Sequence, residues 1–201
     1  MDKIYSFKDS NFKSKNHIIF ICDHATNNFP SKYRYMTPEE SILNSHLAYD
    51  IGAKNLSLSL SKKLNQSYFF SNFSRLIIDP NRSKNDSDLI VSKNFNINTT
   101  LNTKITKEEK KDRIKNLYHI YHDKLEKLIR KKTKEYKKLF LISIHSFTKK
   151  TQIFNRAIEV GLLWNENISL LTIIQKKLLK KKYSFRKKLS LFRLSFQLHT
   201  G

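Results

Sequence analysis

The sequence predicts an α/β fold: a single domain with a largely parallel or mixed central sheet flanked by helices. Three observations carry that expectation. Short apolar, β-prone runs alternate with stretches of helical periodicity, the order that produces strand–helix–strand units. Several of those runs stop abruptly at a polar motif, the pattern of strands whose ends carry chemistry. With 201 residues and 39% hydrophobic content, the chain is long and apolar enough for one buried core.

The elements follow in order. Residues 1–16 are polar and basic without a clear period, and are expected as a flexible basic arm or an edge segment, with one domain from 17 to 201. His17 to Cys22 reads as a buried strand ending at Asp23. Thr37-Pro38-Glu39-Glu40 has the form of a helix start, with Thr37 as N-cap and Pro38 in the first turn. Leu47, Ile51, Leu58 and Leu64 recur at near-helical spacing, predicting a helix between His46 and Asn65. Tyr68–Phe70 and Leu76–Ile78 are short β-prone runs, and Pro80 then forces the chain out of any regular ladder. Residues 83–105, rich in Ser, Asn, Asp and Thr, predict a long loop. Thr106-Lys107-Glu108-Glu109 fits a capping box, and Ile114, Leu117, Tyr121, Leu125 and Leu128 form one stripe, predicting a long amphipathic helix to about Lys137. Leu139–Ile144 and Ala157–Leu163 are the remaining expected strands.

Composition removes several classes. Cys22 is the only cysteine, so no intrachain disulfide forms and nothing points to an oxidising compartment. The first apolar run is far shorter than a signal-peptide core or a membrane span, which leaves the cytoplasm as the default location. The formal net charge of +22 suits nucleic-acid or anionic-surface binding, yet Lys, Asn, Ile and Ser are abundant along the whole chain, as in a general compositional drift rather than a local patch. There is no Gly-rich phosphate loop, no CxxC pair and no GxSxG elbow.

The candidate chemistry sits after the strands. His24 follows the first strand, flanked by Asp23 and with Asn27 three positions on; His145 has the same placement at a later strand end. Imidazole suits zinc, and a hydrolytic site needs about three protein ligands with one position open. His24, His145, Asn27 and Asp23 are therefore the candidate metal set, Asp23 alternatively supporting His24 from behind. Arg75, Arg82 and Arg156 lie near strand ends in segments otherwise poor in charge. A guanidinium grips a carboxylate with two hydrogen bonds, so these three, with Asn81, are candidates to bind an acidic substrate; the plainer alternative is a structural ion pair with Asp50 or Asp79. His119 and His122 are expected as ordinary helix residues, one of them able to face the site, and Cys22 as a small buried hydrophobe.

At these residues the chain resembles the N-formylglutamate amidohydrolase family. The motifs Asp23-His24-Ala25-Thr26-Asn27, His46-Leu47-Ala48-Tyr49-Asp50-Ile51-Gly52-Ala53, Ser74-Arg75-Leu76-Ile77-Ile78-Asp79-Pro80-Asn81-Arg82, Tyr121-His122, Ile144-His145-Ser146-Phe147-Thr148, and Arg156 with Val160-Gly161-Leu162-Leu163-Trp164 follow its pattern in order, over roughly residues 18–165. The resemblance implies a phosphorylase/hydrolase-like fold and hydrolysis of N-formyl-L-glutamate to formate and glutamate, a step of histidine degradation. More distantly the arrangement is similar to the zinc carboxypeptidases and aspartoacylase-like deacylases. That likeness makes His24 and His145 ligands of a divalent metal, zinc foremost, and puts Asn27 where those enzymes have a glutamate. It also makes Asn81 with Arg82 the carboxylate clamp. The family pattern further implies a glutamate-bearing segment beyond this match, where the present chain diverges or is truncated; Glu159, the nearest remaining acid to a motif strand, is the candidate general base. The alternative is a non-catalytic basic protein derived from such a family member, binding nucleic acid or an anionic surface.

Overall fold

Nine strands and five helices are described by a computed structural model, which covers residues 2–94, 97–98, 100–148, 159–164, 168–181, 185–189 and 194–200. The strands are β1 (Tyr5–Lys8), β2 (Asn16–Cys22), β3 (Ser67–Ser71), the two-residue β4 (Lys93–Asn94) and β5 (Ile97–Asn98), β6 (Lys138–Thr148), β7 (Val160–Trp164), β8 (Phe185–Leu189) and β9 (Leu194–Thr200). Seven of them form one sheet in the order β1-β3-β2-β6-β9-β7-β8. Strands β3, β2, β6 and β9 are parallel neighbours; β1 and β7 run antiparallel to β3 and β9, with β8 parallel to β7. The sheet is mixed, as the sequence predicts, and its carboxyl edge at β2 and β6 is where the motifs fall.

Because successive side chains of a strand face opposite sides, β2 feeds two cores. Ile19 and Ile21 join Phe69, Leu117, Tyr121 and Leu125 on one face. Phe20 and Cys22 join Phe70, Ala53, Ile142 and Ile144 on the other. Burying each of Ile19, Phe69 and Tyr121 contributes roughly 2 kcal/mol. The second core lies under helix α2 (Ala53–Leu64), entered through Gly52 at φ 82 and left through Asn65 at φ 49, both left-handed. Its sheet-facing residues are Ala53, Ser57 and Ser61, small enough for close approach, with Ser57 Oγ donating to Ala53 O (2.8 Å) and Ser61 Oγ to Gln66 O (2.6 Å). Leu64, expected on the packing stripe, is exposed instead.

The first core lies under the long helix, which the structure divides into α3 (Lys107–Arg113), a π-helical stretch Ile114–His119, and α4 (Ile120–Glu135). Thr106 Oγ1 accepts from Glu109 N (3.1 Å), the N-cap bond expected of the capping motif. A fifth helix, α5 (Ile168–Lys180), packs on β7.

Two segments depart from the sequence reading, and the structure places a third. Thr37 donates its hydroxyl to Arg34 O (2.8 Å) and closes a preceding 3-10 turn, Ser31–Met36, so the helix after it is only the single turn α1 (Glu40–Leu43). Leu76–Ile78 form a buried turn and not a strand, and side chains replace the missing ladder: Asn102 Nδ2 donates to Leu76 O (2.9 Å) and Arg113 Nη1 to Ile77 O (2.9 Å). Within the expected basic arm, Tyr5–Lys8 is the edge strand of the sheet, and the following residues are tied to α4 by the fully buried Lys132, whose Nζ meets Asp9 (2.5 Å), Glu135 (2.7 Å) and Ser10 O (2.9 Å).

Candidate active site

The turn after β2 carries His24 and the body of β6 carries His145, so two neighbouring parallel strands deliver the imidazoles to one place, ring centroids 5.1 Å apart. Asp50 comes from the turn before α2, where its backbone N–H donates to His24 O (2.9 Å). Its Oδ2 stands 3.3 Å from His24 Nδ1 and 2.8 Å from His145 Nδ1. His24, Asp50 and His145 each offer a ligand atom, all within 4.8 Å of one another, and all three residues are buried.

The far side of each ring decides which nitrogen faces the cluster. His24 Nε2 lies 2.7 Å from Asp79 Oδ1, and a carboxylate only accepts, so Nε2 carries a hydrogen. Ser143 Oγ donates to Asp23 Oδ2 (2.9 Å) and therefore accepts from His145 Nε2 (3.0 Å). In the neutral rings both Nδ1 lone pairs then point at Asp50, another acceptor. Three acceptors meeting in a buried space draw in a cation or protons, a demand the Arg75 guanidinium meets in part, and two imidazoles with one carboxylate, each imidazole held from behind by an oxygen, match the donor set and support of a catalytic zinc site.

Charges in the cluster are strongly coupled. Burial is the largest influence on Asp50 and raises it, but His24, His145 and Arg75 outweigh burial and hold its carboxyl well below the usual range. Asp79 is likewise raised by burial yet brought down to about 2 by His24 and then Arg75. For His24, burial and Arg75 push downward, while Asp79 and Asp50 overcome them and raise it to about 9. Arg75 Nη2 donates to Asp50 Oδ1 and also abuts His24 Nδ1. A guanidinium can only donate, so it meets a lone pair on neutral His24 and shares Asp50 with a protonated one.

A cleft of about 290 Å³ opens onto this cluster, lined by His24, Asp50, Arg75, Asp79, Asn81, Arg82, His145 and Ser146. Five of the residues singled out from the sequence thus meet: His24, His145, Arg75, Asn81 and Arg82. Their states differ. Arg75 is in the close ion pair with Asp50 that was its plainer alternative, and Arg82, half exposed, is in looser pairs with Asp79 (4.0 Å) and Asp86 (3.7 Å).

Two expected ligands do not join the cluster. The Asn27 amide donates to Leu43 O (2.9 Å) and Asn44 Oδ1 (3.2 Å), which turns it away. Asp23 spends one oxygen on Tyr121 Oη (2.7 Å) and the other on Ser143, and so braces His145 from behind, 3.8 Å from Nε2. Glu159 is exposed; Val160 beside it lies level with Ser146 across β9, two strand spacings or about 10 Å away, and Glu159 does not line the cleft. Arg156 lies outside the described residues. The sequence reading missed Asp50 as the third donor and Asp79 as the acceptor for His24. The available signal was a carboxylate within each of the two later motifs. Cys22 is a buried core thiol, its pKa pushed well up by burial first and by Asp50 and Asp23 second.

A mixed sheet with a buried histidine–carboxylate cluster at its carboxyl edge, under a cleft walled by an amide and a guanidinium, marks an α/β protein with an enzyme-like site. The chain belongs to the N-formylglutamate amidohydrolase family, whose family model matches residues 16–187, and it is accordingly an amide hydrolase. Among solved structures it is similar to a gene product of Agrobacterium tumefaciens, with TM-score 0.86 and 22% identity over 98% of this chain and 84% of that one. It is also similar to an N-formylglutamate amidohydrolase from Ralstonia eutropha JMP134, with TM-score 0.71 and 14% identity over the same shares. At those identities the likeness establishes the fold alone. No curated protein matches the chain.

Proposed function

We propose that this protein is a metal-dependent hydrolase of an N-acyl amino acid, with N-formyl-L-glutamate as substrate and formate and L-glutamate as products. The observation that carries this reading is the convergence of His24 Nδ1, Asp50 and His145 Nδ1 at the floor of a cleft whose wall holds Asn81 and Arg82. His24, Asp50 and His145 would hold a divalent cation, zinc by donor type, and the ion would act as a Lewis acid toward the formyl carbonyl.

The chain's own groups divide the remaining work. Arg82, half exposed and paired with Asp79 and Asp86 only at 4.0 and 3.7 Å, offers a two-pronged grip on a substrate carboxylate, with the Asn81 amide beside it. Holding that carboxylate orients the formyl group toward the floor, which converts an encounter into an aligned reaction. Asp79 and the Ser143–Asp23–Tyr121 chain hold the two imidazoles in the tautomer that presents Nδ1. Arg75 offsets the charge of Asp50 and keeps its carboxylate in place. Hydrolysis adds one water across the C–N bond, so formate departs and the freed amine takes a proton. A cleft near the lower limit of ligand-pocket size suits a substrate this small.

The test is formate release from N-formyl-L-glutamate by chelator-treated protein before and after Zn²⁺ is added. Activity that appears with the metal is expected; no formate at high enzyme and metal concentration would refute the assignment.

A further inference from the structure

The loop that carries the clamp is not fixed by the clamp's own charges. Arg82 Nε is 4.0 Å from Asp79 and Nη1 3.7 Å from Asp86, both beyond hydrogen-bonding reach, and its side chain is half exposed. Within the loop, Asn81 N donates to Asp79 Oδ1 (2.8 Å) and Arg82 N to Asp79 O (3.2 Å), which shapes a turn anchored at its start, where Asp79 meets His24 Nε2 (2.7 Å) and Leu89 O (2.8 Å).

The residues after Asp79 are held from the long helix. Tyr118 Oη donates to Arg82 O (2.8 Å) and His122 Nε2 donates to Pro80 O (3.0 Å), so two carbonyls flanking Asn81 are held from one helix. Because a carbonyl only accepts, the second bond fixes a hydrogen on His122 Nε2. The two side chains are four residues apart and share a helix face, with ring centroids 4.2 Å apart. Tyr118 lies inside the π-helical stretch Ile114–His119 and His122 just beyond it. A π turn shifts the phase of the residues around it, and such turns recur at functional sites. The same helix holds the upstream part of this loop through Arg113 on Ile77 O, so three carbonyls between Ile77 and Arg82 are held from it.

We propose that Tyr118 and His122 are positioning residues that set the aim of the Asn81–Arg82 clamp. The role rests on the clamp reading given above. Neither residue lines the cleft, so both act through the loop backbone.

The experiment compares Tyr118→Phe, His122→Ala and the donor-restoring His122→Gln by steady-state kinetics on zinc-loaded enzyme and by amide hydrogen exchange on the free protein. Tyr118→Phe and His122→Ala should each raise KM for N-formyl-L-glutamate about five- to tenfold with kcat within about twofold, the size of one net hydrogen bond. His122→Gln should recover most of that loss. The amides of Asn81 and Arg82 should exchange faster by a similar factor while those of β2 and β6 keep their rates. Unchanged KM and unchanged loop exchange would overturn the proposal, as would a fall in kcat accompanied by faster exchange throughout β2 and β6. If the wild type releases no formate, the assigned reaction fails; the exchange comparison still decides whether these two side chains hold the loop, because it requires no turnover.

Discussion

Replacing Asp79 by Asn removes one buried charge with little change of shape. The amide oxygen can still accept from His24 Nε2 and from Asn81 N, so the experiment isolates electrostatics. In the folded protein Asp79 falls from 3.8 to about 2, burial being outweighed by His24 and Arg75. At about 1.36 kcal/mol per pH unit, that drop corresponds to roughly 2 kcal/mol of folding stability. The rise of His24 from 6.5 to about 9 gives a larger figure, but Asp50 shares in it, so the value for Asp79 is the better measure of this pair. The sign follows from linkage. A depressed carboxylate stabilises above its unfolded pKa and loses that contribution as pH falls from 3.8 toward 2. A raised histidine stabilises below 6.5 and loses its contribution as pH climbs to 9. Metal-free wild type should therefore exceed Asp79→Asn by about 2 kcal/mol at pH 6, and the gap should shrink to a small fraction of that as pH reaches 9, where His24 of the wild type is half neutral. Urea unfolding of chelator-treated protein at pH 6, 7.5 and 9 measures this, provided the m-values agree. A difference that stays constant over that range, or is under about 0.5 kcal/mol at pH 6, would refute the charge coupling inferred for this cluster.

His145→Ala should abolish zinc retention through gel filtration, measured by metal analysis; one equivalent still bound would remove His145 from the ligand set. Arg82→Ala should raise KM for N-formyl-L-glutamate about 10- to 100-fold with a small effect on kcat, because a charge-assisted bond to a carboxylate is worth about 1.5–3 kcal/mol; an unchanged KM would remove Arg82 from the clamp. Lys132→Met should cost roughly 1–2 kcal/mol in urea unfolding, since it leaves the carbonyl of Ser10 without its buried donor while Lys131 still pairs with Asp9 and Glu135, and a cost under about 0.5 kcal/mol would show that this network does not secure the segment after β1.

How legible the chain was follows from the range of the signals. Strand β2 and the helix from Thr106 were readable because a buried apolar run and a cap are local patterns that span only a few residues. Leu76–Ile78 misled because an apolar run shows burial without showing what satisfies its backbone; Asn102 and Arg113 do so from 26 and 36 residues away. Thr37 misled because its hydroxyl found the carbonyl behind it before the helix ahead. In the site, His24, His145, Asn81 and Arg82 were visible as residue types after strands, whereas Asp50 was visible only as an arginine's partner.

The amino-acid sequence alone determined the alternation of elements, the two imidazoles, the carboxylate-binding pair and the family these motifs resemble, since each is written in contiguous residues. Only the tertiary structure decided that Asp50 completes the cluster, that Asn27 and Asp23 stand outside it, and that Arg75 is gripped closely by an acid while Arg82 pairs with Asp79 and Asp86 only at 4.0 and 3.7 Å. Those outcomes depend on parallel pairing of β2 with β6 and on the turn before α2, which bring together groups as far apart in the chain as His24 and His145. A choice among competing partners for one carboxylate is settled by distance and burial, and neither exists until the chain has folded.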